Sequence, residues 1–319
     1  AGPEWERRGV ILTVTLNPAA DQTLVLRQVA VGATNRVDMS YLDPGGKGIN
    51  ASRVLHRMGC ATLALGFLAG DIGRLVQQAL DDEGVQHCFR AGPGQTRLNT
   101  QVIDQASGTS TVFHDRGPEV PPKSLADLMA DVARWLRSAR VLVLAGSLPP
   151  GVPQDIYARL IGQAREHRVP AVLDTDGEAL RLGIAAGPTL VKPNLDEAQA
   201  LLGRPLQDRA EVVAAAQDLV GRGIPYVVIS MGARGAIGTW DGQVWEALPP
   251  RVERRSTVGS GDSMVAGLAR ALAEGWAMTE GLRLGTAAGA ATAMTPGTAL
   301  AAPEDIARLL PEVQLRRCA

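Results

Sequence analysis

Aromatic residues make up only 3% of this chain, so base stacking on aromatic platforms is not an expected binding mode. Positive charge is not in excess either. The 32 Lys and Arg are balanced by 33 Asp and Glu, and a net charge of −1 implies no broad basic surface for nucleic acid. Cysteine is scarce: Cys60, Cys88 and Cys318 are scattered and odd in number, with no metal spacing or disulfide framework. That usage suits a reducing cytoplasm. No apolar run reaches membrane-spanning length, so no membrane partner is expected. Residues 1–8 lack the apolar centre of a signal peptide and are expected to be a frayed extension before the first strand. His56, His87, His114 and His167 show neither metal nor triad spacing and are assigned no chemistry. A Walker loop is missing, because Gly-Lys never precedes Ser or Thr.

What remains is ample apolar material: 45% of 319 residues, enough for a large α/β core. Short β-branched runs are expected as strands at 10–16, 62–66, 141–145, 171–174, 190–192 and 227–230. Amphipathic stretches at 72–83, 124–138, 154–167 and 208–222 alternate with them as helices. The alternation predicts a mostly parallel sheet with helices on both faces, in one domain over 1–319. Two segments, 23–42 and 99–114, read as strand, turn, strand without a helix, and are expected to form one small inserted β-lid.

Glycine is abundant, and two of its clusters suggest chemistry. Gly259-Ser260-Gly261-Asp262 opens an apolar helical run. Such a turn aims backbone N–H groups outward at the positive end of the helix dipole, a nest suited to a migrating phosphoryl group. Asp262 on its rim can orient and deprotonate an incoming hydroxyl, and the dipole is expected to keep it ionised. Simple helix capping explains an aspartate there equally well when the motif stands alone. The second cluster is Pro44-Gly45-Gly46-Lys47-Gly48-Ile49-Asn50. Its glycines allow close backbone approach, Lys47 can meet a phosphate, and Asn50 can both donate to and accept from sugar hydroxyls. An ordinary glycine turn before a helix is the bland alternative.

These motifs in this order resemble the PfkB (ribokinase-like) family of sugar kinases. Lys192-Pro193-Asn194-Leu195-Asp196-Glu197 matches the family's Asn-x-x-Glu element. Further segments resemble its phosphosugar branch: Thr13–Asp21, Thr96–Asn99, Gly146–Gly151 and Ser230–Ala236. The resemblance implies a three-layer α/β/α ribokinase-like fold with a small inserted β-lid, and a homodimer formed through that lid. It implies ATP-dependent phosphorylation of a ketohexose monophosphate to a 1,6-bisphosphate, with fructose 1-phosphate placed first. Tagatose 6-phosphate and fructose 6-phosphate are the alternatives. A nucleoside kinase or a non-catalytic sugar sensor stands further off, because Arg97 and Lys47 have no anion to meet on a nucleoside, and a sensor has no need of an intact Asp262.

The resemblance also implies roles. Glu197 and Asn194 organise Mg²⁺, largely through water. Lys192 reaches nucleotide phosphate, and Ser230, Gly232 and Gly235 lie near ATP. Asp21 and Asn99 hold sugar hydroxyls, Arg97 pairs with the substrate's own phosphate, and Ser147 is a pocket wall.

Overall fold

The computed structural model describes residues 9–318, so the extension expected at 1–8 lies outside the described residues. Seven strands run parallel: β1 (Val10–Thr15), β4 (Thr62–Leu68), β5 (His87–Ala91), β8 (Ala139–Ala145), β9 (Ala171–Asp174), β10 (Leu190–Val191) and β11 (Tyr226–Ser230). β1 and β4 are buried along their whole length, as their unbroken apolar and threonine runs require of strands covered on both faces. An antiparallel extension completes the sheet: β12 (Ala236–Trp240), β13 (Gln243–Leu248) and β14 (Gln314–Cys318). The order is β14-β13-β12-β11-β10-β9-β8-β1-β4-β5.

Helices cover both faces. On one side α3 (Pro122–Leu136), α4 (Ile156–Glu166), α5 (Gly177–Ala185), α6 (Leu195–Leu202) and α7 (Arg209–Gly221) share a core with the sheet. On the other lie α1 (Lys47–Arg57), α8 (Ser260–Glu274), α9 (Met278–Ala293) and α10 (Pro303–Leu309). α8 and α9 pack almost backbone to backbone. A Cβ on Gly267 would lie 2.5 Å from the amide nitrogen of Gly285, so only glycine permits this approach. Among the described residues, no helix is long and apolar enough to cross a membrane.

A second sheet stands off the first, in the order β3-β2-β6-β7. It consists of β2 (Ala19–Leu26), β3 (Met39–Gly45), β6 (Arg97–Asp104) and β7 (Thr109–Phe113). β2 pairs antiparallel with β3 and parallel with β6. α2 (Gly70–Glu83) joins this sheet to the main body through a small core that includes Ala20, Ile49 and Val76. β2 and β6 begin four and two residues before the segment starts read from sequence, at Ala19 rather than 23 and at Arg97 rather than 99. Asp21, a typical turn residue, therefore lies within a paired strand opposite Asn99. Polar turn-like residues hid that strand, which exists because partners on both sides satisfy its backbone.

Candidate active site

The carboxyl ends of β1, β8, β9, β10 and β11 open into one cavity of about 1080 Å³, roofed in part by the small sheet. This is the edge where parallel α/β sheets bind ligands. Four helix N-caps line it, Gly46 of α1, Asp176 of α5, Asn194 of α6 and Gly259 of α8, and two of them are glycine. α1 is capped by Gly46 at φ 113°, where a Cβ would lie 2.7 Å from Thr15 Cγ2. α8 is capped by Gly259 at φ 78°. Both caps need glycine because the left-handed backbone is strained for other residues.

Asp262, the third residue of α8, makes no cap hydrogen bond with its side chain. Its Oδ2 instead accepts a hydrogen bond from Asn50 Nδ2 at 2.8 Å. Only 7% of Asp262 is exposed. Burial, reinforced by the negative charge of Asp174, pushes its carboxyl up to about 6; Lys47, Asn50 and Lys192 pull the other way. With a pKa of about 6 the carboxyl remains mostly ionised at neutral pH, and it can still accept a proton. Burial makes Asp262 a stronger base than an exposed aspartate.

Asp174 ends β9 with 1% exposure and lies between two lysines. Lys47 Nζ is 3.0 Å from its Oδ1 and Lys192 Nζ is 3.4 Å from its Oδ2. Burial by itself would raise its pKa, but the two ammonium groups hold the carboxyl below the usual carboxylate range. Lys47 also reaches Glu197 Oε1 at 3.3 Å. The lysine read as a phosphate ligand is therefore first a counter-ion to two carboxylates, because a buried Asp174 requires one. Burial would lower the Lys47 pKa, and these two acids more than reverse it.

Asn194 and Glu197 form a capping box on α6. Asn194 Oδ1 accepts from the Glu197 amide and Glu197 Oε2 accepts from the Asn194 amide, both at 2.8 Å. Among the described residues, no group of three His, Cys, Asp or Glu side chains is arranged to hold a metal ion. Both Glu197 oxygens and Asn194 Oδ1 are already engaged within the protein, so these residues could hold a divalent ion only through water.

On the small sheet, Asn99 Nδ2 donates to Asp21 Oδ1 at 2.8 Å. Burial raises the Asp21 carboxyl, opposed by Asn99 and Arg97. Gly45 lies directly beneath this carboxylate, with no room for a Cβ. Arg97 Nε and Nη2 donate to the Asn17 carbonyl at 3.1 and 2.9 Å, and Nη1 to the Asp115 carbonyl at 3.1 Å. Three of its five N–H groups are so engaged, and two remain for a ligand. Ser147 Oγ accepts from Asn17 Nδ2 at 3.4 Å.

Ser230, Gly232 and Gly235 shape the β11–β12 hairpin on the far side of the cavity. Gly235 has φ 89° and a Cβ there would collide with the Ala247 carbonyl, so hairpin geometry explains it. The fold brings every sequence-derived site residue to this cavity's wall except Gly45 and Glu197, which stand just behind it.

Sequence reasoning missed Asp174, whose one available signal was its place at the end of a buried parallel strand. It also missed Asn17 and His114, both of which line the cavity. The carboxamide oxygens of Asn17, Asn50 and Asn99 are buried and have no hydrogen-bond partner in the protein. Acceptors left open in a polar cavity match a ligand rich in hydroxyl groups.

Comparison with known proteins agrees with this chemistry. The pfkB family carbohydrate kinase profile matches residues 15–305. The 1-phosphofructokinase of Xanthomonas campestris pv. campestris is 40% identical over 266 residues, 82% of this chain and 83% of that protein. That of Bacillus subtilis is 33% identical over 308 residues, 97% of this chain and all of that one. Phosphofructokinase-2 from Escherichia coli in complex with fructose-6-phosphate superposes with a TM-score of 0.89 at 32% identity, over 95% of this chain and 99% of that one. The chain belongs to the pfkB family of carbohydrate kinases: it has the ribokinase-like fold and is an ATP-dependent sugar kinase.

Proposed function

We propose that this kinase transfers the γ-phosphoryl group of ATP to the 6-hydroxyl of fructose 1-phosphate, giving fructose 1,6-bisphosphate and ADP. The observation that carries the phosphotransfer chemistry is Asp262, buried at a helix N-terminus beside Asn50. The choice of sugar follows the relatives named 1-phosphofructokinase. The sugar's 6-oxygen attacks phosphorus as the bond to the ADP oxygen breaks, and its proton passes to the Asp262 carboxylate. Backbone N–H groups of Gly259, Ser260 and Gly261 face the charge that develops on the transferring group. Asn50 fixes the direction in which the Asp262 carboxylate points.

Asp21 and Asn99 would take sugar hydroxyls, and the two unengaged N–H groups of Arg97 the substrate's own phosphate. Ser147 walls the sugar side. Lys192 lies where nucleotide phosphate would be neutralised, while Ser230, Gly232 and Gly235 bound the nucleotide side. Mg²⁺, held through water by Asn194 and Glu197, would supply charge neutralisation for the nucleotide phosphates.

A second reading, fructose 6-phosphate, is favoured by one observation: the Escherichia coli structure holding that sugar superposes on nearly the whole chain. We further propose a homodimer through the small sheet, whose Met39, Tyr41, Leu42, Val112 and Phe113 expose apolar surface. Light scattering on the purified protein tests the dimer, and a monomer at micromolar concentration refutes it. A reducing cytoplasm suits the three free cysteines.

The deciding experiment couples ADP release to substrate. Fructose 1-phosphate, fructose 6-phosphate, tagatose 6-phosphate, fructose and adenosine are compared at saturating ATP. The highest kcat/KM is expected on fructose 1-phosphate. A preference for fructose 6-phosphate moves the assignment to the second reading, and a preference for fructose or adenosine overturns both.

A further inference from the structure

Glu83 is the last residue of α2 and lies outside the cavity. Its carboxylate accepts Arg53 Nε at 2.9 and 3.1 Å, Arg53 Nη2 at 2.5 Å and Arg57 Nη2 at 3.3 Å. The two arginines sit four residues apart on α1, on neighbouring turns of one face. Without an anion between them, like charges at this spacing repel.

Each arginine also grips backbone beyond Glu83. Arg53, 3% exposed, donates Nη1 to the Pro44 carbonyl at 3.1 Å, fixing the turn that enters Gly46. It lies one helical turn after Asn50, the donor to Asp262. Arg57 donates Nη1 to the carbonyls of Leu300 and Ala301 at 2.8 and 3.3 Å. Leu300 in turn lies against Gly259: a Cβ on that glycine would be 2.6 Å from Leu300 Cδ2. Both flanks of the reacting centre therefore hang from one carboxylate that touches neither.

We propose that Glu83 is a positioning residue for phosphoryl transfer: through Arg53 and Arg57 it sets the Pro44–Gly46 turn and the Leu300 backbone, and with them the alignment of Asn50, Asp262 and Gly259. Burial would raise the Glu83 carboxyl, but Arg53 and Arg57 hold it below the ordinary glutamate range, so the clamp is charged at neutral pH. Cores tolerate few intermediate packings, so loosening one clamp shifts the groups it holds together. The proposal rests on the phosphotransfer reading above.

Two variants of the full chain test it, with ATP and fructose 1-phosphate as substrates. Glu83→Gln keeps the shape and removes the charge. Arg57→Ala keeps the more buried Arg53–Glu83 pair and frees the Leu300 and Ala301 carbonyls. In both, kcat per folded molecule is expected to fall about tenfold or more, as for groups displaced by a fraction of an ångström. In Arg57→Ala the sugar KM should stay within about twofold, because Asp21, Asn99 and Arg97 are carried by strands that this variant does not touch. Glu83→Gln also loosens the end of β3 that pairs with the Asp21 strand, so its KM can rise. Glu83→Asp, which restores the charge, should recover part of the loss.

Amide hydrogen exchange should accelerate at 259–261 in both variants and at 45–46 in Glu83→Gln. A folded variant of either kind with kcat near wild type overturns the proposal, as does a kcat loss in Arg57→Ala matched by its KM. Arg57→Ala alone carries the test if Glu83→Gln does not fold. A wild type inert on every ketohexose phosphate defeats the substrate assignment instead. Exchange at 259–261 in Arg57→Ala then decides the clamp, and unchanged exchange overturns it.

Discussion

Asn50 and Asp262, 212 positions apart in the chain, meet through a 2.8 Å hydrogen bond between the N-terminal turns of two helices. The bond joins the two glycine-rich motifs into one centre. It also uses the side chain that would otherwise cap α8, leaving the N–H groups of that helix terminus to the cavity.

Asp262→Asn is expected to lower kcat by about 10²–10⁴-fold, the range for loss of a general base. The amide oxygen can still accept from Asn50, so circular dichroism and ATP affinity should be near wild type. Unimpaired turnover in the folded variant removes Asp262 from the chemistry.

The same substitution should raise the thermal midpoint at neutral pH. Asp262 has a folded pKa of about 6 against an ordinary 3.8. A carboxyl raised in this way favours the folded state below pH 3.8, and that contribution is lost as pH climbs towards 6. Above this window ionised Asp262 costs on the order of 1–3 kcal/mol. Melting curves of wild type and Asp262→Asn should therefore diverge between pH 4 and pH 7, and parallel curves speak against the raised pKa.

Activity should fall on the acid side as Asp262 protonates, giving kcat/KM a limb near pH 6. Asp174→Asn removes the neighbouring charge that helps to raise this group, and it also releases Lys47 and Lys192. Both changes favour ionised Asp262, so the limb should move to lower pH. A limb that stays put or rises contradicts the electrostatic account.

Glu197→Gln keeps the capping box, since glutamine serves at that helix position as well as glutamate. The thermal midpoint should fall modestly, because Lys47 keeps Asp174 but loses the Glu197 charge, while the divalent-metal concentration for half-maximal activity rises more than the sugar KM does. Equal effects on metal and sugar argue against the metal role.

Arg97→Ala should weaken fructose 1-phosphate binding by roughly 1.5–3 kcal/mol, the scale of a hydrogen bond to a charged group. Free fructose should lose less, though not nothing, because Arg97 also ties down the Asn17 and Asp115 carbonyls. Steady-state kinetics on both sugars measure the difference; an equal loss assigns Arg97 to scaffolding alone.

Motif order and hydrophobic period made the parallel sheet, most of its helices and the glycine-rich helix starts legible from sequence. Those features are local: β-branched runs buried on both faces, and glycines at φ values other residues avoid. Residues Asp174 and Glu83 were not legible in the same way, nor was the strand that carries Asp21, although the family resemblance itself marks Asp21 as a sugar ligand. Asp21 looks like a turn residue until β6 pairs beside it, and Asp174 looks like any strand-end aspartate until Lys47 and Lys192 arrive from other elements.

The protonation of Asp262 shows the division most clearly. The sequence alone determined that an aspartate follows a glycine turn at a helix start, where the dipole favours its charge. Only the tertiary structure decided that the carboxylate is buried near a second one, and that desolvation in this low-dielectric site raises its pKa to about 6.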